Sequence, residues 1–439
     1  MSDIPSHFAP LPPMPVLNWA SKHIPQPLPA VLELDSIVYP QADAYPVGSP
    51  QGHLILGDNL AAMYALLPEY EGRIQLIYAD PPFFSNRSYP ARVGQGEDSR
   101  RPQEWKLAHG YADHWLDLDE YLDMLYPRLV LMHRLLAPNG SLYLHLDWHA
   151  NAYARLLLDE IFGLDRLLNE IVWVYHGPSP IRSAFNRKHD TILAYTKTGD
   201  YVFNADAVRI PYDPGTVKTF ESSPKAGFGK VPDLKRGKVP EDWWYFPVVA
   251  RLHQERTGYP TQKPEPLLGR IILASSNPGD LVADFFCGSG TAAVVASKLG
   301  RRYIGGDSTW RAIHTARTRL VTAGRGPFNI QRVFLEGQES SSAEPSQDIP
   351  LSPGVLFQAE AGVYQLDPSL VDEMDYWEVD PNWDGQIFRS AYQAWRPRRR
   401  GKIPAEISLP AEWIGSRSRI RLVRIDGQQI KLTVYTSSR

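Results

Sequence analysis

The sequence contains one cysteine, Cys287, among 439 residues. A single thiol excludes an intramolecular disulfide framework and a cysteine-rich metal site. None of the 12 histidines falls into an H-E-x-x-H spacing, so the signature of a zinc-hydrolase helix is missing too. No apolar run approaches the roughly 20 residues needed to span a bilayer. The opening stretch MSDIPSHFAPLPPMPVLNWA lacks the basic and then apolar segments of a secretory leader. These absences predict a reducing, cytoplasmic setting with no membrane partner. Charge of one sign is also lacking: 46 Lys and Arg against 49 Asp and Glu leave a net charge of -3. No global basic excess marks a nucleic-acid binder, so local clusters must carry any such role. What is present is ordinary for a globular enzyme, with 43% hydrophobic and 22% charged residues in a chain long enough for two or three domains.

Residues 1–50 are proline-rich and lack periodicity, which predicts an extended N-terminal arm. An alternating pattern follows: a strand at His53–Gly57, a helix at Asn59–Leu67 and a strand at Arg73–Ala79 ending at Asp80. Residues 84–116 are polar and aperiodic, the pattern of a long functional loop. The clearest helix carries Leu122, Leu125, Leu129, Met132 and Leu136, with Asp117 and Glu120 at its start and Pro138-Asn139-Gly140 as its stop. Further strands are predicted at Ser141–Leu146, Glu170–Tyr175 and Thr191–Thr196, with a helix over His149–Phe162. Residues 197–260 look like an inserted irregular module. The α/β pattern resumes with helix Glu265–Ser276, strand Leu281–Phe285, helix Thr291–Leu299, strand Tyr303–Gly305 and helix Trp310–Leu320. Alternation of this kind implies an α/β fold with a doubly wound, mostly parallel sheet over residues 51–336. Residues 337–353 read as a linker and 354–439 as a small β-rich accessory domain.

Two turns carry the chemistry. Asp284-Phe285-Phe286-Cys287-Gly288-Ser289-Gly290-Thr291 follows an apolar strand and opens a helix. Glycines there let backbone approach a ligand, and in a doubly wound fold ligands lie beyond carboxyl strand ends. The next strand ends at Asp307, 19 positions after Gly288, where an acid can accept from ribose hydroxyls. Only Gly288 and Gly290 of a G-x-G-x-x-G pattern are glycine, with Ala293 third. An acidic Asp284 before the turn suits an amino-acid-bearing ligand such as S-adenosylmethionine better than a pyrophosphate. Thr261-Gln262-Lys263-Pro264 taken alone is a helix start with proline as starter.

Asp80-Pro81-Pro82-Phe83 also lies at a carboxyl strand end. Its two prolines fix a rigid turn that presents a carboxylate, carbonyls without adjacent N–H donors, and a ring. An exocyclic amine on a base has a delocalised, weakly nucleophilic lone pair. Two acceptors, Asp80 and the Pro81 carbonyl, would bind its hydrogens and localise that pair, while Phe83 stacks on a base swung out of the duplex. By itself Asp-Pro-Pro is a structural turn; the cofactor turn downstream gives it a catalytic reading. Methylation of a ring carbon would need a cysteine nucleophile, and Cys287 sits inside the glycine turn instead.

The segments GDNLAAMYALL, LIYADPPFF, HDTILAYTK and YPTQKPEPLLGRIILASSNPGDLVADFFCGSGTAAVVASKLGRRYIGGD resemble the permuted (β-class) S-adenosylmethionine-dependent DNA amino-methyltransferases, including modification subunits of type III restriction systems. The resemblance covers residues 52–322, and the catalytic segment precedes the cofactor segment, as in that class. It implies a seven-stranded, Rossmann-like class I sheet. It also implies that Asp80, Pro81, Pro82 and Phe83 form the target-amine loop, that Asp284 to Thr291 with Asp307 hold the cofactor's methionine and ribose, and that Asp58 lies near its adenine. Thr261, Lys263 and Pro264 match the methionine-side motif. Asp before Pro-Pro is usual for adenine N6, Ser for cytosine N4. Residues 197–260 take the target-recognition position but are short for a type III subunit.

The expected partner is double-stranded DNA, with a restriction or defence-system subunit and a homodimer left open. Arg87, Arg92, Arg100 and Arg101, in the loop next to the catalytic turn, are the candidate phosphate contacts. A second basic segment, residues 385–425, has ten Arg or Lys against two Glu, with Trp395 and Trp413 interleaved; DNA contact and a solvated β face weigh equally there. Three activities stay open: adenine-N6 DNA methylation, cytosine-N4 or RNA methylation, and a catalytically silent DNA-binding subunit.

Overall fold

The computed structural model describes residues 16–23, 25–40, 48–93, 106–178, 181–222, 232–250, 253–337, 355–358, 362–397 and 401–435. In chain order the first half contains β1 (Ala30–Val38), β2 (Gly52–Leu56), α1 (Asn59–Tyr70), β3 (Ile74–Ala79), β4 (Arg87–Val93), β5 (Lys106–Asp113), α2 (Leu118–Leu135), β6 (Leu136–Leu146), α3 (Asn151–Phe162), β7 (Leu167–Val174) and β8 (His189–Thr196). Then come α4 (Pro214–Ser222), β9 (Trp243–Tyr245), α5 (Glu265–Ser275), β10 (Leu281–Asp284), α6 (Thr291–Lys298), β11 (Arg302–Asp307), α7 (Trp310–Ala323) and β12 (Phe328–Leu335). Among the described C-terminal residues there are eight strands and one short turn of helix: β13 (Val355–Gln358), β14 (Val363–Leu366), β15 (Met374–Asp380), β16 (Phe388–Ser390), β17 (Tyr392–Trp395), β18 (Glu406–Ser408), β19 (Arg417–Arg424) and β20 (Gln429–Tyr435).

One sheet organises the molecule, in the order β16-β1-β12-β2-β11-β10-β3-β6-β8-β7-β9. Seven of its ten pairings are parallel and three antiparallel, so the mostly parallel expectation holds. Its eleven strands exceed the expected seven, because β16, β1 and β12 extend one edge and β9 the other. Alternation along the central strands divides the core. Leu54, Leu76, Tyr78 and Val282 pack under α5, α6 and α7, whereas Ile55, Ile77, Ala79 and Ala283 pack under α1, α2 and α3. Both faces are covered, which is why these strands read as continuous apolar runs. No helix among the described residues is long and apolar enough to cross a membrane.

Three expectations need correction. The proline-rich start contains a strand: Ala30–Val38 carries no proline, pairs antiparallel with β12 and parallel with β16. Prolines on either side of it hid a nine-residue pairing segment. The polar stretch 84–116 contains a two-stranded ribbon, β4 with β5, capped by a Tyr89–Tyr111 ring stack at 4.9 Å. A two-stranded ribbon buries little, so its residues stay polar. Of the inserted module 197–260, Trp243–Tyr245 joins the main sheet beside β7.

The described C-terminal residues form sheets of three and four strands besides β16. They are also stitched to the α/β part by buried charge. Arg317 on α7 pairs with Glu378 at 2.9 Å, both side chains fully buried, and Arg421 reaches Asp35 of β1 at 3.0 Å. Removing one partner of such a pair strands a charge out of water, at a cost of about 3–5 kcal/mol. The linker, residues 337–353, falls outside the described residues except Gly337.

Candidate active site

Strand β3 is buried along its whole length, and it delivers Asp80 to the carboxyl edge of the sheet. One carboxylate oxygen, Oδ2, is ion-paired with the Lys263 ammonium. The other, Oδ1, is buried and has no hydrogen-bond partner among the described residues. An orphaned buried acceptor is costly, which makes it a marker of a group held for a ligand. Lys263 was expected on the cofactor side. The turn before α5, with Thr261 at φ +55°, aims its ammonium at Asp80 and 5.2 Å from the centroid of the Phe83 ring.

The Asp80–Phe83 loop is braced from both sides. The buried Asp113 carboxylate accepts from the backbone N–H groups of Phe83 (3.1 Å), Phe84 (3.1 Å) and Ser85 (2.8 Å), and from the Trp115 indole at 2.6 Å. Phe84 and Asn86 sit at φ +64° and +52°, a conformation non-glycine residues adopt only when surroundings impose it. Tyr121 Oη donates to the Pro82 carbonyl at 2.9 Å. Behind Phe83, His145 stacks at 5.9 Å with a 26° interplanar angle. His145 Nδ1 lies 2.8 Å from Tyr78 Oη, and its Nε2 lies 3.3 Å from Asp190 Oδ2, while Tyr175 Oη donates to Asp190 Oδ1 at 3.0 Å. Burial pushes the Asp190 carboxyl up, but His145 and Lys263 outweigh it, so the net shift is downward.

The glycine turn lies on the neighbouring strand, since β10 pairs with β3. Gly288 has φ +48° and Gly290 φ +75°, both outside the range of ordinary residues. Gly290 is also where α6 meets α7: a Cβ there would stand 2.5 Å from that of Ala316, so this glycine lets the two helices pack. Asp307 Oδ2 accepts from Gly288 N–H at 3.0 Å and Oδ1 from Thr309 N–H at 2.9 Å, tying the end of β11 to the turn. Asp284 is 4% exposed; burial and then the nearby Asp80 and Asp307 charges drive its carboxyl far above the usual range, against a hydrogen bond from Phe286 N–H. Burial likewise pushes the Cys287 thiol well up, against the thiolate form. Asp58 caps α1 through Ala61 N–H (3.0 Å) and pairs with Arg128 at 2.8 Å.

Both turns open into one cavity of about 660 Å³. It is lined by Asp58, Asp80, Pro81, Pro82, Phe83, Thr261, Lys263, Asp284, Phe285, Phe286, Cys287, Gly288, Ser289, Thr291 and Asp307. Of the remaining candidates, Pro264 and Gly290 do not line it; Pro264 instead caps α5. Arg87 is exposed on β4, while Arg92 lines a second pocket against α7, away from the catalytic turn. Arg100 and Arg101 lie outside the described residues.

Several arginines of the basic segment 385–425 are committed to structural contacts, whereas Lys402 is exposed. Arg396 donates to the carbonyls of Val371, Asp372 and Met374, Arg417 to that of Trp383, and Arg421 is paired with Asp35 and Glu378. Those guanidiniums hold loops and strands together; Arg398, Arg399 and Arg400 lie outside the described residues. Sequence reasoning missed Asp113, Arg128, His145 and Asp190. His145 and Asp190 left a signal: each is a polar residue inside an otherwise buried strand, where polarity must be satisfied. Asp113 left none.

The DNA methylase family profile matches residues 74–318 of this chain. The chain is 31% identical over 281 residues to the DNA adenine methyltransferase YhdJ of Escherichia coli (strain K12), covering 63% of this chain and 85% of that protein. It is 31% identical over 269 residues to the type II methyltransferase M.BglII of Bacillus subtilis, covering 60% of this chain and 68% of that one. The crystal structure of an M1.HpyAVI–SAM complex is similar with a TM-score of 0.40 at 20% identity, covering 61% of this chain and 98% of that chain. Strand-end Asp-Pro-Pro-Phe, the glycine turn beside it and the profile spanning both agree: this chain belongs to the DNA methylase family.

Proposed function

We propose that this chain transfers a methyl group from S-adenosylmethionine to the exocyclic N6 of adenine in double-stranded DNA. The observation that carries the reading is Asp80: a rigidly held carboxylate with one oxygen ion-paired to Lys263 and the other buried without a partner, facing a cavity shared with the glycine turn. The DNA adenine methyltransferase among its relatives supports adenine as the base.

The residues lining the cavity fit the cofactor. Asp307 at the end of β11 offers acceptors for ribose hydroxyls, and Asp58 stands at the adenine side. Asp284 and the turn from Phe285 to Thr291 take the amino-acid end, where an ammonium would turn a buried neutral carboxyl into an ion pair. Once bound, S-adenosylmethionine supplies an electrophilic methyl on a positively charged sulfur. The chain's own work is on the base. Asp80 Oδ1 and the Pro81 carbonyl accept the two amino hydrogens, which localises the nitrogen lone pair. The Lys263 ammonium holds Asp80 Oδ2 in place, and Phe83, backed by His145, offers a face for the extruded ring. Asp113 holds the loop's backbone so that both acceptors are fixed before substrate arrives.

The finer parts of the reading are the permuted class, marked by the catalytic segment preceding the cofactor segment, and its likeness to type III modification subunits. Residues 197–260 serve as the target-recognition module and 354–439 as an accessory domain. Incubation of the protein with unmethylated genomic DNA and S-adenosylmethionine, followed by nucleoside mass spectrometry, tests it. N6-methyladenine is the expected product; N4-methylcytosine alone, or no product despite cofactor binding, overturns the proposal.

A further inference from the structure

The turn between β7 and β8 rises directly from the wall of the active site. Tyr175 and Asp190, which flank it, both line the cavity, and Tyr175 N–H donates to the Lys188 carbonyl at 3.0 Å to close its base. Between them, residues 176–189 contain Arg182, Arg187 and Lys188 and no acid, in a chain whose net charge is -3. Within this turn Phe185 is 98% exposed, the most exposed large hydrophobic residue among those described. Beside it Trp148, which directly follows the cavity residue Asp147, is 52% exposed with the Arg187 guanidinium 4.1 Å from its ring centroid.

A lone exposed hydrophobic residue is ordinary. A fully solvated phenyl ring in a turn that carries three cations, of which Lys188 also donates to the Pro178 carbonyl at 2.7 Å, beside a site whose substrate is a polyanion, is a different combination. Apolar side chains that enter a base stack are wedges, and extrusion of a base leaves a gap that a ring can fill. We propose that the β7–β8 turn is a DNA-contacting element in which Arg182, Arg187 and Lys188 hold the backbone. Phe185 enters the duplex where the target adenine leaves it. The inference rests on the DNA-methylation reading. Its occupant is duplex DNA rather than a protein partner, because the charge complements phosphate and the turn adjoins the base-binding ring.

Two arms test it: the first uses short duplexes carrying the sequence that the wild-type protein methylates in genomic DNA, the second a fluorescent duplex of any sequence. In the first, Phe185→Ala is compared on a fully paired duplex and on one with an abasic position opposite the target adenine. The expected result is a loss of kcat/KM of about tenfold or more on the paired duplex and about threefold or less on the abasic one, with Phe185→Trp near wild type on both. Equal loss on both duplexes, or no loss on either, overturns the wedge. In the second arm, the Arg182→Ala, Arg187→Ala, Lys188→Ala variant is titrated with fluorescent duplex without cofactor across a salt series. Weaker binding and a log–log salt slope shallower by about 2–3 support the surface; an unchanged slope excludes DNA as its occupant. This arm reads binding alone, so it remains decisive if the wild-type protein yields a methylated base other than adenine. Failure of the nucleoside assay and failure of this surface are therefore separate results.

Discussion

Asp80 and Asp284 occupy the ends of two adjacent, paired strands, yet they are prepared for opposite work. Asp80 meets a lysine ammonium, which holds one oxygen and leaves the other facing the cavity without a partner. Asp284 has no ion pair among the described residues; burial and two neighbouring carboxylates favour its neutral form against the Lys263 charge and the Phe286 N–H. Identical side chains at the carboxyl ends of neighbouring strands thus differ through one partner and the degree of burial. The fold supplies the location, and the local electrostatics decide whether a carboxylate polarises a substrate or waits for a ligand charge.

The largest break in this comparison is Asp80→Ala. Methyl transfer should fall by about a thousandfold or more, with cofactor affinity within about threefold of wild type. Single-turnover transfer of labelled methyl, alongside calorimetric cofactor binding, checks both halves.

Asp284→Asn should behave the other way. Losing a charged partner for the cofactor's amino group weakens binding about tenfold to a hundredfold, the value of a charge-assisted hydrogen bond. A pH effect accompanies it. Because burial raises the carboxyl's pKa before binding, a ligand ammonium would expel its proton. Cofactor affinity of the wild type therefore rises with pH until the carboxyl is already ionised without ligand, and levels off above that. The Asn variant should be flat over the same range. Calorimetry in two buffers of different ionisation enthalpy measures the released proton directly.

Asp113→Ala leaves three backbone donors of the catalytic loop without their acceptor. A stability loss of about 2–4 kcal/mol is expected, with kcat lowered more than KM is raised, because the loop's acceptors lose their fixed aim. Chemical denaturation and steady-state kinetics separate these. The smallest effect belongs to Cys287→Ala. A buried thiol driven toward its neutral form offers no nucleophile, so transfer should stay within about threefold and stability fall by about 1 kcal/mol.

Much of this was legible in the sequence, and the omissions have physical causes. Apolar strands followed by Asp80 and Asp284, and the 3.6-residue pattern of α2, gave the doubly wound core because burial on both sheet faces leaves an unbroken apolar signature. Residues of the two turns met in one cavity because carboxyl strand ends converge in such folds. Three-dimensional partners were not legible. Lys263 reads as part of a helix start, and only the fold reveals its ammonium on Asp80, 183 positions away. Asp113 lies at the end of a polar ribbon with no periodic signal, yet it fixes the catalytic loop. The arginines of residues 385–425 left DNA contact and a solvated β face equally open, since composition cannot distinguish a solvated guanidinium from one holding carbonyls together. Phe185 attracted no notice because a single phenylalanine carries no pattern; its exposure does.

The division of labour between neighbouring strand ends is tested most directly by one paired measurement. Cofactor affinity and single-turnover methyl transfer are determined for Asp80→Asn and Asp284→Asn under the same conditions. The account predicts a crossing: Asp80→Asn keeps cofactor affinity and loses transfer, while Asp284→Asn loses affinity and, at saturating cofactor, retains most of the transfer rate. Parallel loss of both properties in both variants would contradict it.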